Sequence, residues 1–463
     1  TQGSYTVDRL FVQYCGSQLG LANEKELGEA AVTSNLFART AAVAALYGVL
    51  PEKLKEYGMQ DLYFEMELPL CAVLARMETA GVLVDQMALV GFGNMLSARI
   101  TACQELIYGY AGGEFNINSP KQLGELLFEK LGLPAMKKTK SGYSTNADVL
   151  EKLKSKHPIV QAILDYRMLA KLKSTYADGL VKEIADDGRI HTTFQNMVTA
   201  TGRLSSTEPN LQNIPVRTEL GSEIRRMFIP ADGCVFVDAD YSQIELRVLA
   251  HIAGDAHMQA AFRSGLDIHT ATAAQVFGVA PEAVTPLQRR HAKAVNFGIV
   301  YGISEFSLAE DIGVTRKEAR AYIDSYLANY SGVRDYMRDI VAKAKADGYV
   351  TTLFGRRRDL PELKSSNFNI RSFGERVALN TPIQGTAADI IKLAMLHVDT
   401  ALRNAKLRAR LLLQVHDELI VECPAEEAET VRKLVTEQME HVMELSVPLL
   451  AEAKIGESWY AAK

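Results

Sequence analysis

The pattern of apolar and polar residues predicts a strand followed directly by a helix near the middle of the chain. Residues 235–237 are β-branched or aromatic, as is typical of a buried strand. Asp238 and Asp240 follow at a spacing of two, so on a strand their side chains point to one face. From Ile244 the apolar positions recur at helical spacing. A carboxylate at this strand end can bind a hard cation or cap the helix.

A second pattern, at residues 411–422, predicts a tight β-hairpin. Two apolar runs are interrupted there by His416, Asp417 and Glu418, whereas a two-residue turn usually contains Asn-Gly or Asp-Gly. Two carboxylates that lie close together repel each other, which costs free energy unless a cation lies between them. We therefore expect Asp240 and Asp417 to meet in one sheet and to hold a divalent metal.

The third pattern is a helix that begins after Thr285. Thr285 to Gln288 has the composition of a capping box, with Pro286 at the first helical position. Four side chains follow at intervals of four, each rotated by about 40° from the one before; they are Arg289, Lys293, Phe297 and Tyr301. Cations near a helix N-terminus favour a triphosphate, and the aromatic rings favour a base and sugar. The alternative is a pair of surface cations beside two core aromatics.

The remaining segments are predominantly helical. Residues 1–61 and 62–188 have helical periodicity, and Pro120 after Ser119 predicts one of the helix starts. Residues 199–215 form a polar loop, and a helical pattern from Phe373 to Lys392 is expected to break at Pro382 and Gly385.

Composition narrows the class of protein. The chain has 463 residues, 48% of them hydrophobic and 23% charged, which is typical of globular domains. Five scattered cysteines favour a reducing compartment and exclude a cysteine zinc site. No apolar run reaches the length of a membrane span, and a start without Met suggests that the chain begins inside a longer protein.

Charge is distributed unevenly along the chain. The net charge of −5 argues weakly against a polyanionic partner, yet residues 121–182 contain 12 Lys and Arg against 6 Asp and Glu. Basic clusters also occur at residues 289–293 and 356–358, and the segment 137–142 predicts a basic loop. Such clusters can follow a phosphate backbone, or they can be ordinary solvated surfaces.

Together these patterns resemble the motifs of family A DNA polymerases. Residues 240–247 (DYSQIELR) resemble motif A, residues 289–302 (R-x3-K-x3-F-G-x2-Y-G) motif B and residues 416–418 (HDE) motif C. The resemblance runs in order from about residue 65 to the C-terminus and includes TGRLSS at 201–206 and QGTAAD at 384–389.

The resemblance implies an α+β right-hand polymerase fold, with an antiparallel-sheet palm and helical thumb and fingers. The thumb is expected at 62–190, the fingers at 247–370, and the palm at 191–246 and 371–463. Residues 1–61 would be the remnant of a 3′–5′ exonuclease-like domain. The family's Tyr-x3-Asp would fall near Val32 to Leu36, where neither residue occurs. Proofreading is therefore not expected.

The implied enzyme is a DNA-directed DNA polymerase of replication or repair, acting on primer–template DNA and dNTPs by a two-metal mechanism. It is expected to be a cytoplasmic monomer without membrane contact, and to use two Mg²⁺ ions, for which Mn²⁺ can substitute. The metal ligands would be Asp240, Asp417 and Tyr241, and the catalytic residues Asp240, Asp417, Lys293 and Glu418. Residues for the incoming nucleotide would be Arg289, Lys293, Phe297, Tyr301, His269, Glu245 and Gln243. Residues for the primer–template would be Arg203, Arg376, Asn380, Gln384, Gln414 and His416.

Three other classes of protein share part of this pattern. A single-subunit RNA polymerase shares the three motifs but should lack a bulky acid at position 245. A metal-dependent nuclease needs the aspartate pair but not the Arg-Lys-Phe-Tyr series. A catalytically dead DNA-binding scaffold should have lost one of the two aspartates, and both are present.

Overall fold

A computed structural model describes residues 5–135, the backbone of 138–139, and residues 142–216 and 218–463. Residues 137, 140 and 141 of the predicted basic loop at 137–142 thus lie outside the described residues. Long helices and short strands alternate irregularly along the described chain, which agrees with the predicted α+β class.

Helices make up most of the described chain. In order, the α-helices are α1 (Val7–Cys15), α2 (Glu24–Glu56), α3 (Leu68–Ala80), α4 (Gln86–Ala111), α5 (Pro120–Gly124), α6 (Ala147–Leu153), α7 (Pro158–Lys171), α8 (Asp178–Lys182), α9 (Glu219–Glu223), α10 (Ile244–Ile252), α11 (Ala256–Arg263), α12 (Ile268–Phe277), α13 (Pro286–Val300), α14 (Glu305–Ile312), α15 (Arg316–Asn329), α16 (Ser331–Asp347), α17 (Phe368–Asn404) and α18 (Ala428–Glu440). One-turn π-helical segments occur at Leu62–Glu67, Glu125–Lys130 and Leu172–Ala177.

The strands form small sheets. They are β1 (Val82–Leu83), β2 (Lys138–Thr139), β3 (Gly142–Tyr143), β4 (Arg189–Ile190), β5 (Thr193–Gln195), β6 (Ser205–Thr207), β7 (Cys234–Tyr241), β8 (Tyr349–Thr351), β9 (Arg357–Asp359), β10 (Arg410–Val415), β11 (Glu418–Pro424) and β12 (Ala451–Gly456). The largest sheet among the described residues has four strands in the order β10-β11-β7-β12, with β10 and β11 antiparallel. This sheet brings the two acidic motifs of the sequence onto neighbouring strands.

Contacts divide the chain into two compact units. The first contains Thr1–Thr79, Phe194–Ser206 and Val237–Ile455, and it includes α10 to α18. Its central element is α17, where Ala378, Ile383 and Ile390 are almost completely buried, as expected for a helix packed on several sides.

The second unit contains Ala80–Thr193, Thr207–Phe236 and Gly456–Lys463. Its largest core lies among α4 to α7, where Leu123, Leu150 and Ile163 have no exposed surface. Ser119 caps α5 by accepting a hydrogen bond from the Gln122 amide, with Pro120 at the first helical position, as predicted.

The predicted break in the helix at Pro382 and Gly385 is wrong. Helix α17 continues through both residues from Phe368 to Asn404. Pro382 removes one backbone donor and crowds the preceding turn, but the helix is buried on both sides of it and tertiary packing outweighs the local penalty. Helical backbone also continues through Pro51 in α2 and precedes Pro69 at Leu62–Glu67.

No helix within the described residues is long and apolar enough to cross a lipid bilayer.

Candidate active site

The end of β7 and the turn of the β10–β11 hairpin are in direct contact. The backbone amide of Tyr241 donates a hydrogen bond to the carbonyl oxygen of Asp417, with an N···O distance of 3.1 Å. Asp240, one residue earlier on β7, and Asp417 are both partly exposed. Asp238 and Glu418, by contrast, are at least 97% buried. Two carboxylates 177 positions apart in sequence thus lie at one edge of the sheet, as predicted, and solvent can reach both.

The predicted tight hairpin is present, and its turn has two residues, because Glu418 belongs to β11. Val415 pairs with Glu418 across the antiparallel ladder, which leaves His416 and Asp417 as the turn. His416 has a φ of 55°, a left-handed conformation that turns of this kind usually give to glycine or asparagine. The buried Gln414 side chain donates a hydrogen bond to the His416 carbonyl, which stabilises the turn. Residues held in such conformations are concentrated at functional sites.

Tyr241 can offer a metal only its backbone carbonyl. Its hydroxyl donates to the Met439 carbonyl at 2.6 Å and is buried. Burial raises the pKa of Tyr241 far above its usual value, and the negative charges of Asp417 and Glu440 raise it further. The hydroxyl therefore stays protonated and committed to another contact.

Glu245 lies on the first turn of α10 and is 5% exposed. Its Oε1 accepts from Arg203 Nη2 at 2.5 Å, and its Oε2 accepts from the Tyr301 hydroxyl at 3.0 Å. Burial, together with the charge and hydrogen bond of Glu245, raises the pKa of Tyr301 to about 12. Three predicted site residues from distant parts of the sequence therefore form one hydrogen-bonded group.

Gln243 stands directly before α10 as its N-cap residue. It has a φ of 56°, so the chain turns sharply between the metal-site strand and the helix. Its side chain makes no capping hydrogen bond. The turn places Asp240 and Glu245, only five positions apart, on two different elements, β7 and α10.

The predicted series of cations and aromatics lies along α13. The capping box of Thr285 and Gln288 is present, with Pro286 at the first position, as predicted. Lys293 is exposed, and no ion pair of its side chain is found among the described residues. Phe297 is partly buried, and Tyr301, just after the last helical residue, is 43% exposed. The alternative that both aromatics are core residues is therefore wrong.

Arg289 is held by an acid that the sequence did not single out. Its Nε and Nη2 donate to the two carboxylate oxygens of Asp267, at 2.8 and 3.0 Å. Burial alone would raise the pKa of Asp267, but the hydrogen bonds from Arg289 and Thr270 outweigh it and lower the pKa to about 2. Such a bidentate pair fixes the guanidinium group geometrically. Only the Asp-x2-Thr cap spacing before α12 could have identified Asp267 from sequence, and that signal predicts a cap rather than a partner.

His269 lies beside this series but is itself buried, with 3% of its surface exposed. Its ring centroid is 5.7 Å from that of Phe297, and its Nδ1 lies 3.0 Å from the Asn296 side-chain nitrogen. Asn296, which has no exposed surface, was not predicted as a site residue.

Three of the residues predicted to contact primer–template lie on α17. Arg376 is exposed, while Asn380 and Gln384 are partly buried. The Nδ2 atom of Asn380 is buried and has no hydrogen-bond partner among the described residues. Arg376 also lines a cavity of about 650 Å³ together with Phe297, Tyr301 and residues of α14. Arg376, Phe297 and Tyr301 therefore face a common space.

One member of the basic cluster at 356–358 is directed into the protein. Arg356 is largely buried and bridges Glu67 and Asp389, while Lys392, which has no exposed surface, pairs with Glu67 at 2.7 Å. Neither alternative, a phosphate-following groove or an ordinary solvated surface, holds at Arg356, because two acids distant in sequence pair with its guanidinium group. One of these acids is Asp389, the last residue of the QGTAAD motif. Its pairing with Arg356 could not be predicted from the local sequence pattern.

Comparison with known proteins agrees with this geometry. The chain matches the family model described as DNA polymerase family A over residues 87–461. It is 55% identical over 438 residues to DNA polymerase I of Bacillus subtilis (strain 168), which covers 94% of this chain and 50% of that protein. It is 47% identical over 464 residues to DNA polymerase I of Caldicellulosiruptor bescii, covering 100% of this chain and 54% of the relative. The chain thus spans about half the length of these curated relatives.

A solved structure is similar throughout the chain. The POL domain of Pol1 from M. smegmatis, in complex with DNA primer-template and dNTP, superposes with a TM-score of 0.93 and 45% identity. The match covers 100% of this chain and 80% of the other, and it confirms the predicted right-hand polymerase fold. With the family model spanning most of the sequence and the motif residues gathered as described, the chain belongs to DNA polymerase family A.

Proposed function

We propose that this chain is a template-directed DNA polymerase that adds dNTPs to a primer 3′-OH by two-metal-ion nucleotidyl transfer, without proofreading. The observation that carries the proposal is the contact between the Tyr241 amide and the Asp417 carbonyl, which brings motifs A and C together. The related M. smegmatis domain was solved with DNA primer-template and dNTP, so we infer the same partners for this chain.

The donor set fits Mg²⁺. Within the described residues no group of three or more His, Cys, Asp and Glu side chains is arranged to hold a metal. Mg²⁺ is usually bound by one or two carboxylates and completes its shell with water and substrate phosphates rather than with an all-protein cage. Asp240, Asp417 and the Tyr241 carbonyl supply the protein's share of such a site. When bound, the two ions would lower the pKa of the primer 3′-OH and neutralise charge on the triphosphate.

The α13 side chains are suited to position the triphosphate. Lys293 is exposed and unpaired among the described residues, so its ammonium can approach the leaving pyrophosphate and donate a proton to it. Arg289 is held by Asp267 in a fixed orientation. The 3′-oxygen attacks the α-phosphorus, the bond to pyrophosphate breaks, and the hydroxyl proton leaves to solvent. The chain's contribution is to align the groups and to stabilise the charge that develops.

Glu245 is suited to select the sugar. Its buried carboxylate is fixed by Arg203 and Tyr301 five positions beyond Asp240. A nucleotide bound through its triphosphate near Asp240 would place its sugar close to this group. The carboxylate leaves no room for a 2′-hydroxyl, the group that distinguishes RNA from DNA precursors.

Primer extension tests the function directly. The purified chain is incubated with a labelled primer–template, Mg²⁺ and either dNTPs or rNTPs. We expect templated extension with dNTPs and little with rNTPs. Extension with rNTPs alone would indicate an RNA polymerase, and primer degradation alone a nuclease.

The metal site is tested by Asp240→Ala and Asp417→Ala. Each should reduce extension by at least about a thousandfold, because one carboxylate cannot align both ions. DNA binding, measured by fluorescence anisotropy, should persist because phosphates are bound elsewhere. Asp232→Ala is the matched control, since Asp232 is exposed in the turn before β7. Near-normal extension by either site variant would refute the metal assignment.

A further inference from the structure

Beneath the predicted nucleotide site, four buried polar side chains form a continuous hydrogen-bonded chain. Tyr330, Thr272, Asn296 and His269 are each at most 3% exposed, and they come from two helices, α12 and α13, and from one residue between α15 and α16. The distances are 3.2 Å from the Tyr330 hydroxyl to Thr272 Oγ1, 3.1 Å from Thr272 Oγ1 to Asn296 Oδ1, and 3.0 Å from Asn296 Nδ2 to His269 Nδ1.

The chemistry of these groups gives the chain a direction. The Thr272 hydroxyl donates its proton to Asn296 Oδ1, so Tyr330 must donate to Thr272. The amide nitrogen of Asn296 can only donate, so Nδ1 of His269 must accept. An imidazole whose Nδ1 accepts carries its proton on Nε2.

We propose that Asn296 is a positioning residue that holds His269 in the neutral Nε2–H tautomer, so that the ring presents a hydrogen-bond donor to the triphosphate of the incoming nucleotide. The proposal rests on the polymerase function proposed above. It assigns the ring the role of a directed neutral donor, while Lys293 supplies charge to the same substrate. In metal-bound histidines the tautomer is commonly fixed in the same manner, by a hydrogen bond at the ring nitrogen that does not bind the metal.

The surroundings of His269 favour the neutral ring. The pKa of His269 is lowered to about 4, chiefly by burial and also by the positive charges of Lys293 and Arg289, although Asp267 opposes the shift. The ring also lies against Phe297, which limits its rotation. The cations of Arg289 and Lys293 and a neutral donor on His269 are compatible with a polyanionic ligand. A positive charge on the buried His269 ring would be costly in the absence of that ligand.

The tautomer can be observed without any reaction. The chain is labelled with ¹⁵N-histidine, and two-bond ¹H–¹⁵N correlation spectra are recorded at pH 7.5 without nucleotide. Signals of His269 are assigned by their loss in His269→Gln. We expect the Nε2–H pattern in the unsubstituted chain. In Asn296→Asp the carboxylate can only accept, so the pattern should change to the neutral Nδ1–H ring, whose Nε2 carries no proton.

Kinetics test the role of the donor. In single-nucleotide incorporation, Asn296→Asp should raise the KM for dNTP about tenfold, because a hydrogen bond to a charged group is lost. The change in kcat should be smaller and the affinity for primer–template unchanged. Asn404→Asp, at an exposed position at the end of α17, is the matched control and should change none of these values.

A double substitution separates positioning from packing. In a His269→Gln background the glutamine amide donates regardless of position 296. Asn296→Asp should then change the KM by no more than about twofold. If Asn296→Asp does not fold, Asn296→Ala and Thr272→Val take its place, and each should shift His269 towards a mixture of tautomers.

The outcomes are distinguishable. Failure of the unsubstituted chain to extend primers refutes the polymerase function but leaves the tautomer measurement valid. If the chain extends primers and His269 shows the Nδ1–H tautomer, the proposal is overturned. It is also overturned if Asn296→Asp changes the tautomer but leaves the KM for dNTP unchanged.

Discussion

At the scale of single residues, sequence identified most chemical groups of the site but not their partners. Asp240, Asp417 and Glu245 were predicted from residue type, spacing and resemblance. That Glu245 is fixed by Arg203 and Tyr301 could not be predicted, because these contacts join residues 42 and 56 positions away. A side chain's chemistry is local, whereas its protonation and orientation depend on neighbours that only the fold supplies.

Glu245→Ala should relax the choice of sugar. Removing the carboxylate opens space for a 2′-hydroxyl and frees Arg203 and Tyr301. We expect kcat/KM for CTP relative to dCTP to rise about 10- to 100-fold, since selection by one side chain corresponds to about 1–3 kcal/mol. The efficiency with dCTP should fall somewhat because packing against the sugar is lost. Glu282→Ala, at an exposed position before α13, is the control. An unchanged ratio would show that Glu245 does not select the sugar.

Phe297→Tyr should change the discrimination against dideoxynucleotides. The ring lines the cavity that Tyr301 and Arg376 also face, and a tyrosine there would offer a hydroxyl in place of the missing 3′-OH. We expect the ratio of ddNTP to dNTP incorporation to rise at least about tenfold. Phe37→Tyr, at a position 72% exposed on α2, serves for comparison. If both variants behave like the unsubstituted chain, Phe297 does not lie near the sugar.

At the scale of elements, local signals were reliable where they were consistent with packing. The capping box of α13 and the tight β10–β11 hairpin formed as predicted. The signal at Pro382 failed, because α17 is buried around much of its circumference and long-range contacts compensate for a lost backbone hydrogen bond. Burial on several sides of a helix is not encoded in the few residues around a proline.

The buried charges around Arg356 should stabilise three elements together. Arg356 lies just before β9, Asp389 and Lys392 lie on α17, and Glu67 ends the π-helical segment before α3. Asp389→Ala removes one acid and leaves the buried cations undercompensated. We expect the unfolding free energy to fall by about 3–5 kcal/mol in urea titrations.

The control for this cluster is an exposed ion pair. Asp335→Ala disrupts a surface contact with Arg338 and should cost less than about 1 kcal/mol. A loss for Asp389→Ala as small as that for Asp335→Ala would mean that the buried network does not contribute to stability.

At the scale of the whole molecule, the order of the motifs along the chain was the informative feature. The three motifs are separated by long helical segments, yet β7 and β11 are neighbours in one sheet. The net charge of −5 did not indicate a nucleic-acid partner, because what matters is where the cations lie rather than their sum. The predicted boundaries of thumb, fingers and palm remain predictions, since sequence periodicity does not determine which helices pack as one body.

The chain should not trim a mismatched primer end. A 3′–5′ exonuclease needs acids that can hold metal, and the family's Tyr-x3-Asp is absent near Val32 to Leu36. Three acids of the N-terminal helices also have cationic partners: Asp8 and Glu24 lie 3.5 and 3.9 Å from Arg39, and Glu56 lies 2.5 Å from Lys53. A carboxylate already compensated by a cation is a weaker metal ligand, because binding must first break the pair. We expect a 3′-mismatched primer to keep its length in Mg²⁺ without dNTPs, on denaturing gels sampled over hours. The same assay with Asp240→Ala identifies the source of any shortening. Loss that disappears in this variant comes from the polymerase site, whereas loss that persists requires a separate nuclease site and would refute the prediction for residues 1–61.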